Sequence, residues 1–150
     1  MPDRPLFEHI LLPIASTQDA ITTCDVVLPY AAARSGRVTA ISVVEVSSGW
    51  PGLTPKDELQ KHSQEMLDVV IEHGAQHSVR IDTQVVFAQD VTDAIIDAAE
   101  EIAASAIVFT PRSTRWWRSL VPGEIASKLV RESHFPVVVL PPKRRQPSES

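Results

Sequence analysis

Residues 106–140 read AIVFTPRSTRWWRSLVPGEIASKLVRESHFPVVVL, and this stretch decides the fold. Ala106–Phe109 is a short apolar run of the kind that forms a buried strand, and it ends in a polar loop carrying arginines. A helix opens near Pro122-Gly123, and a second apolar run covers Pro136–Leu140. Strand, loop, helix, strand is a βαβ unit. In such a unit the loop after the first strand and the amino end of the next helix face one crevice, where open α/β sheets place their ligands. A binding function is therefore expected between Thr110 and Glu124.

Upstream, the same alternation repeats. His9–Ile14 (HILLPI) is a central strand by its apolar run and its Pro13 and Ser16 boundary. From Ser16 or Thr17 as N-cap, Ala20, Ile21, Cys24, Val27, Leu28 and Ala31 recur at helical spacing up to Gly36, with a kink expected at Pro29. Arg37–Val46 is rich in β-branched residues and forms the second strand; Ser47–Pro55 is a loop. Thr54 caps a helix striped by Leu59, Ser63, Met66, Leu67 and Val70, which Gly74 ends or weakens. Arg80–Phe87 alternates and then turns apolar, as in an outer strand whose far end is buried. Asp90 caps a third helix with the stripe Val91, Ala94, Ile95, Ala98, Ala99 and Ile102, leaving Asp93, Asp97, Glu100 and Glu101 to solvent. The fourth helix has a stripe of Pro122, Ile125, Ala126, Leu129, Val130 and Ser133.

The fold class is therefore α/β: a single doubly wound parallel sheet with helices on both faces and five strands in the order 3-2-1-4-5. Its switch point falls between the first and fourth strands. A chain of 150 residues, 43% hydrophobic, supports one domain, here residues 1–142, followed by a disordered tail over 143–150. A net charge of −5 argues against nucleic acid as a partner. The lone Cys24 excludes an intrachain disulfide and lies on a core stripe. No run is long enough for a signal peptide or a membrane span, so a cytoplasmic location without membrane insertion is expected.

Four features, in order, carry a family likeness: the HILLPIAS opening, DVTDAIIDAAEE before the fourth strand, the long loop into PGEIASKLVRESHFP, and the closing PVVVLP. From His9 to Leu140 the chain resembles the universal stress proteins, small α/β domains that usually dimerise. Many members bind ATP through a motif of Gly, two residues, Gly, nine residues, Gly, then Ser or Thr. Laid on this chain, those positions are Thr110, Ser113, Gly123 and Glu124, and only Gly123 is kept. A Cβ at either of the first two positions obstructs the approach of backbone amides to phosphates. At the last position a hydroxyl gives way to a carboxylate. At about 4 Å and an effective dielectric of about 20, Glu124 repels a phosphate oxygen by roughly 4 kcal/mol, against about 1 kcal/mol for the lost hydroxyl contact. Ala15 replaces the Asp that ATP-binding relatives carry after the first strand, and Gln89 stands where relatives often have Gly. These departures are similar to the universal stress protein A subclass.

The resemblance implies a non-enzymatic homodimer that acts through an unknown protein partner, with ATP binding weak or absent and no cofactor expected. A second reading stays open. Arg112, Arg115 and Arg118 recur every third residue around Trp116 and Trp117, and guanidiniums hold phosphate or carboxylate well. The candidate ligand site is thus Ala15, Thr110, Arg112, Ser113, Arg115, Gly123 and Glu124. Alternatively, an arginine pairs with Glu124 and the tryptophans cover the end of the sheet or a subunit contact. Ser16, Ser113 and Ser119 lack a nucleophile-elbow setting or a nearby base, so no catalytic residue is assigned. His73 and His77 have ligand spacing but no third ligand, so both are expected to be exposed and no metal is assigned. In relatives the last strands meet across a two-fold axis, which makes Val137, Val138, Val139 and Leu140 the candidate dimer contact.

Overall fold

The computed structural model describes residues 5–46, 56–110 and 124–141. Five strands, β1 (His9–Pro13), β2 (Arg37–Glu45), β3 (Ile81–Ala88), β4 (Ala106–Phe109) and β5 (Val137–Val139), alternate with four helices, α1 (Thr17–Ala33), α2 (Lys56–Gln76), α3 (Val91–Glu101) and α4 (Glu124–Glu132). All pairings are parallel and the order is β3-β2-β1-β4-β5, as the alternation predicts. Residue alternation sorts the sheet into two cores. Ile10, Leu12, Val38, Ala40, Ala106 and Val108 pack with α1 and α2, whereas Leu11, Ile41, Ile107 and Phe109 pack with α3 and with Leu129 of α4.

Two of the three expected N-caps, at Ser16 and Asp90, are made by side chains. Ser16 accepts from the Asp19 amide at 3.1 Å and Asp90 from the Asp93 amide at 2.9 Å. The other oxygen of Asp90 accepts from Lys128 Nζ at 2.7 Å, which ties the amino end of α3 to α4. The hydrogen bond from Lys128 holds the Asp90 carboxyl below the usual carboxylate range, with the capping bond from the Asp93 amide adding to it.

The helix ends differ from the reading of their glycines. In α1, α2 and α3 the last turn closes by a bond from the amide of Gly36, Val79 or Ala104 to the carbonyl of Ala31, Gly74 or Ala99. That pattern needs a left-handed residue one position earlier. The residues placed there are Ser35 (φ 51°), Ser78 (φ 58°) and Ala103 (φ 53°), not glycines. Gly36 follows the turn of α1, and Gly74 lies buried inside α2, which continues to Gln76. A Cβ on Gly74 would stand 2.7 Å from the Val79 carbonyl oxygen and 2.6 Å from Ile81 Cδ1, so close approach of β3 explains this glycine. An L-residue in the left-handed region costs about 1–2 kcal/mol, offset in part by the greater unfolded-chain entropy of glycine. Ser78→Gly and Ala103→Gly should therefore each raise stability by roughly 0.5–1 kcal/mol in urea denaturation. A loss in both would mean that these turns are not strained.

Three further expectations are corrected. In β3 the buried end is the first residue, Ile81, and Thr83 to Ala88 are only half-buried, because β3 is an outer strand. In α4, Leu129 is buried but Ile125 and Val130 are 43% and 62% exposed; the helix lies over the β4–β5 border, where one turn face meets core. His73 and His77 are half-buried rather than exposed, with His77 Nδ1 3.0 Å from the His73 carbonyl oxygen. Thr54 and the tail at 143–150 lie outside the described residues. Helix α1 runs through Pro29, which is exposed.

Candidate functional site

At the switch point, β1 and β4 lie side by side, with Leu11 opposite Ile107. After β1 the chain turns into α1 on one face, and α4, which follows β4, lies on the other face. The two connections diverge, and the carboxyl ends of β1 and β4 open between them. The described residues at this end are Ile14, Ala15 and Ser16 after β1, Asp19 and Thr23 in the first turns of α1, and Thr110 after β4.

Ala15 is exposed and brings no polar side chain to this end. Thr110, immediately after β4, is 5% exposed, and its hydroxyl lies 2.7 Å from that of Thr23, which is 1% exposed. Thr23 Oγ1 also stands 2.8 Å from the Asp19 carbonyl oxygen, which can only accept. A hydroxyl has one proton, so Thr23 donates to Asp19 and Thr110 donates to Thr23. The pair fastens the first position of the loop to α1. Side-chain freedom at Thr110 is spent on this bond, and its Cβ stays where a phosphate-binding glycine would have none.

Asp19 was not singled out by the sequence reading. It is 6% exposed in the first turn of α1, where the helix dipole favours a carboxylate. The signal was available as an acid three residues after the N-cap serine, the spacing of a capping box. Its consequence is electrostatic: the amino end of α1 already holds its own acidic side chain. Of the other candidate site residues, Glu124 is the first residue of α4, and Arg112, Ser113, Arg115 and Gly123 lie outside the described residues, as do Trp116 and Trp117. Among the described residues no three His, Cys, Asp or Glu side chains are grouped to hold a metal ion, and no helix is long and apolar enough to cross a membrane.

The sequence pattern of the universal stress protein family matches residues 6–141, so the chain belongs to that family. Among solved structures, it is similar to a protein of the universal stress protein family from Burkholderia pseudomallei, with 25% identity, a TM-score of 0.72, and coverage of 92% of this chain and 98% of the other. A universal stress protein from Archaeoglobus fulgidus in complex with dAMP is 17% identical, with a TM-score of 0.67 over 90% of this chain and 98% of its own. Another universal stress protein, in complex with cAMP, is 18% identical, with a TM-score of 0.64 over 91% and 98% of the two chains. No curated protein matches the chain.

Proposed function

We propose that this universal stress protein is a non-enzymatic, dimeric interaction protein of the stress response, in which ATP binds weakly or not at all. The observation that carries this reading is the Thr110–Thr23 hydrogen bond of 2.7 Å, which fixes a side chain at the first glycine position of the ATP motif. The missing carboxylate at Ala15 and the acid at Glu124 act in the same direction. If these residues exclude phosphate, Thr110→Gly combined with Glu124→Ser should tighten Mg-ATP binding at least about tenfold, equivalent to 1.4 kcal/mol. Thr23 keeps its bond to the Asp19 carbonyl in that variant, so the substitution leaves no buried donor unmet. Equal affinity before and after would remove both residues as the cause.

A second reading is a nucleotide- or anion-binding sensor, favoured by the relatives that hold dAMP and cAMP and by the spacing of Arg112, Arg115 and Arg118. Replacing Arg112 and Arg115 by Ala should then abolish anion binding; unchanged affinity would leave the arginines with a structural role.

The dimer is assigned to β5, the last strand of the sheet. Val138 and Leu140 pack toward the α1/α2 core and Val137 toward the other, while Val139 is 43% exposed. A lysine on an edge strand opposes further pairing. Val139→Lys should shift the mass found by light scattering from dimer to monomer; an unchanged dimer places the interface elsewhere.

A further inference from the structure

The opposite, amino end of the sheet carries polar side chains on a face that a covered parallel sheet normally fills with apolar ones. Leu11, Ile41 and Val86 face α3, so the period of two puts His9, Arg37, Thr39, Asp82 and Gln84 on the same face, nearer the amino ends of their strands. Two of them are buried: His9 and Thr39 are 4% and 3% exposed, with His9 Nε2 3.0 Å from Thr39 Oγ1. They lie at the base of an open groove of about 430 Å³ that is also lined by Arg37, Asp82, Gln84 and Glu101. That volume lies in the range of small-molecule sites, roughly 300–1,000 Å³.

The rim is uncommitted. Among the described residues, the side chains of Arg37, Gln84 and Glu101 make no hydrogen bond or ion pair, and Asp82 has only a loose contact with Arg80 at 3.9 Å. A simple anion entering here would meet the carboxylates of Asp82 and Glu101, and a simple cation would meet Arg37. A molecule carrying both charges satisfies all three. Thr39 is the β2 residue paired with Asp82, and Arg37, two residues earlier on the same face, is the diagonal neighbour of Asp82, roughly 8 Å away between backbones, a gap that two long side chains and a small molecule carrying both charges can bridge. We propose that this groove binds a small zwitterion of the α-amino-acid type, its carboxylate on Arg37, its ammonium on Asp82 and Glu101, and its remaining polar group on Gln84. This site lies at the other end of the sheet from the crevice between β1 and β4 and does not depend on what binds there.

The test is titration of the isotope-labelled protein, followed by backbone amide NMR, with three probes: L-serine, acetate and ethanolamine. L-serine should give saturable shifts at Thr39, Thr83 and Gln84, and acetate and ethanolamine should bind at least about tenfold more weakly. Arg37→Gln and Glu101→Gln, both at exposed positions, should each abolish the serine shifts while leaving the thermal midpoint unchanged. The proposal is overturned if serine gives no saturable shift, if acetate matches serine, if both variants bind serine as before, or if the shifts centre on Ile14–Thr17.

Discussion

Gly36→Ala is expected to cost about 3 kcal/mol, at the upper end of overpacking penalties, and to lower the melting midpoint by roughly 6–12 °C. The Cβ added there would run into the Phe7 carbonyl oxygen. Neither partner is easily displaced. The Gly36 amide donates to Ala31 in the closing turn of α1, and the next amide, of Arg37, donates to Glu8 at 2.9 Å as β2 begins beside β1. The Phe7 ring is stacked on Tyr30 with centroids 5.4 Å apart, which ties the same segment to the outer face of α1. Relief therefore requires moving either the segment that leads into β1 or the end of α1. Thermal denaturation of the variant measures the effect; an unchanged midpoint would mean that the β1 entry is loose.

The second large effect appears in alkali. Cys24 is fully buried in the α1/α2 core, and burial, with a smaller contribution from the charge of Asp25, pushes its thiol from 9.0 to about 12. The native protein keeps the proton at pH values where the unfolded chain has lost it. This contribution to stability is complete below pH 9 and is lost as pH rises from there toward 12, by about 1.4 kcal/mol per unit. Other groups also titrate in that range, so the comparison is with Cys24→Ala, which lacks this slope. Between pH 8.5 and 11 the stability of the native sequence should fall about 2.5 kcal/mol more than that of the variant. Native Cys24 should likewise react with a thiol reagent only as fast as the core opens. Parallel pH profiles, or labelling as fast as in a free peptide, would contradict the burial.

Most of the sheet was legible because its strands obey simple constraints. The apolar runs at His9–Pro13 and Ala106–Phe109 have no exposed face to alternate with, and that marks them as central. Asp90 and Ser16 announced their helices because a short side-chain acceptor ahead of an amphipathic stripe has one main use. The helix ends were less legible. Their closing turns depend on backbone dihedrals that Ser35, Ser78 and Ala103 adopt against their own preference, while the nearby Gly36 and Gly74 are required by close contacts with distant segments. Exposure on α4 was missed for a related reason: its periodicity marks an apolar stripe, but only the tertiary position over β4 and β5 decides how much of the stripe is covered.

The candidate site was legible in outline. The spacing of the family motif located Thr110 and Glu124, and the topology places Thr110 at the carboxyl end of β4, beside β1. What spacing could not supply was the partner of Thr110, since Thr23 lies 87 residues away in sequence and is joined to it only when α1 packs over β4. That bond turns a substituted glycine position into a fixed one, and it also brings buried Asp19 to the same end of the sheet.

The claim that this crevice does not hold ATP is tested most directly by calorimetric titration of the purified, nucleotide-free protein with Mg-ATP, after denaturing a sample to identify any small molecule carried through purification. The expected result is no co-purified nucleotide and no saturable heat up to about millimolar ATP, weaker than roughly −4 kcal/mol of binding. Bound nucleotide, or a saturable heat at micromolar concentration, would contradict the account and give the site to the arginine loop.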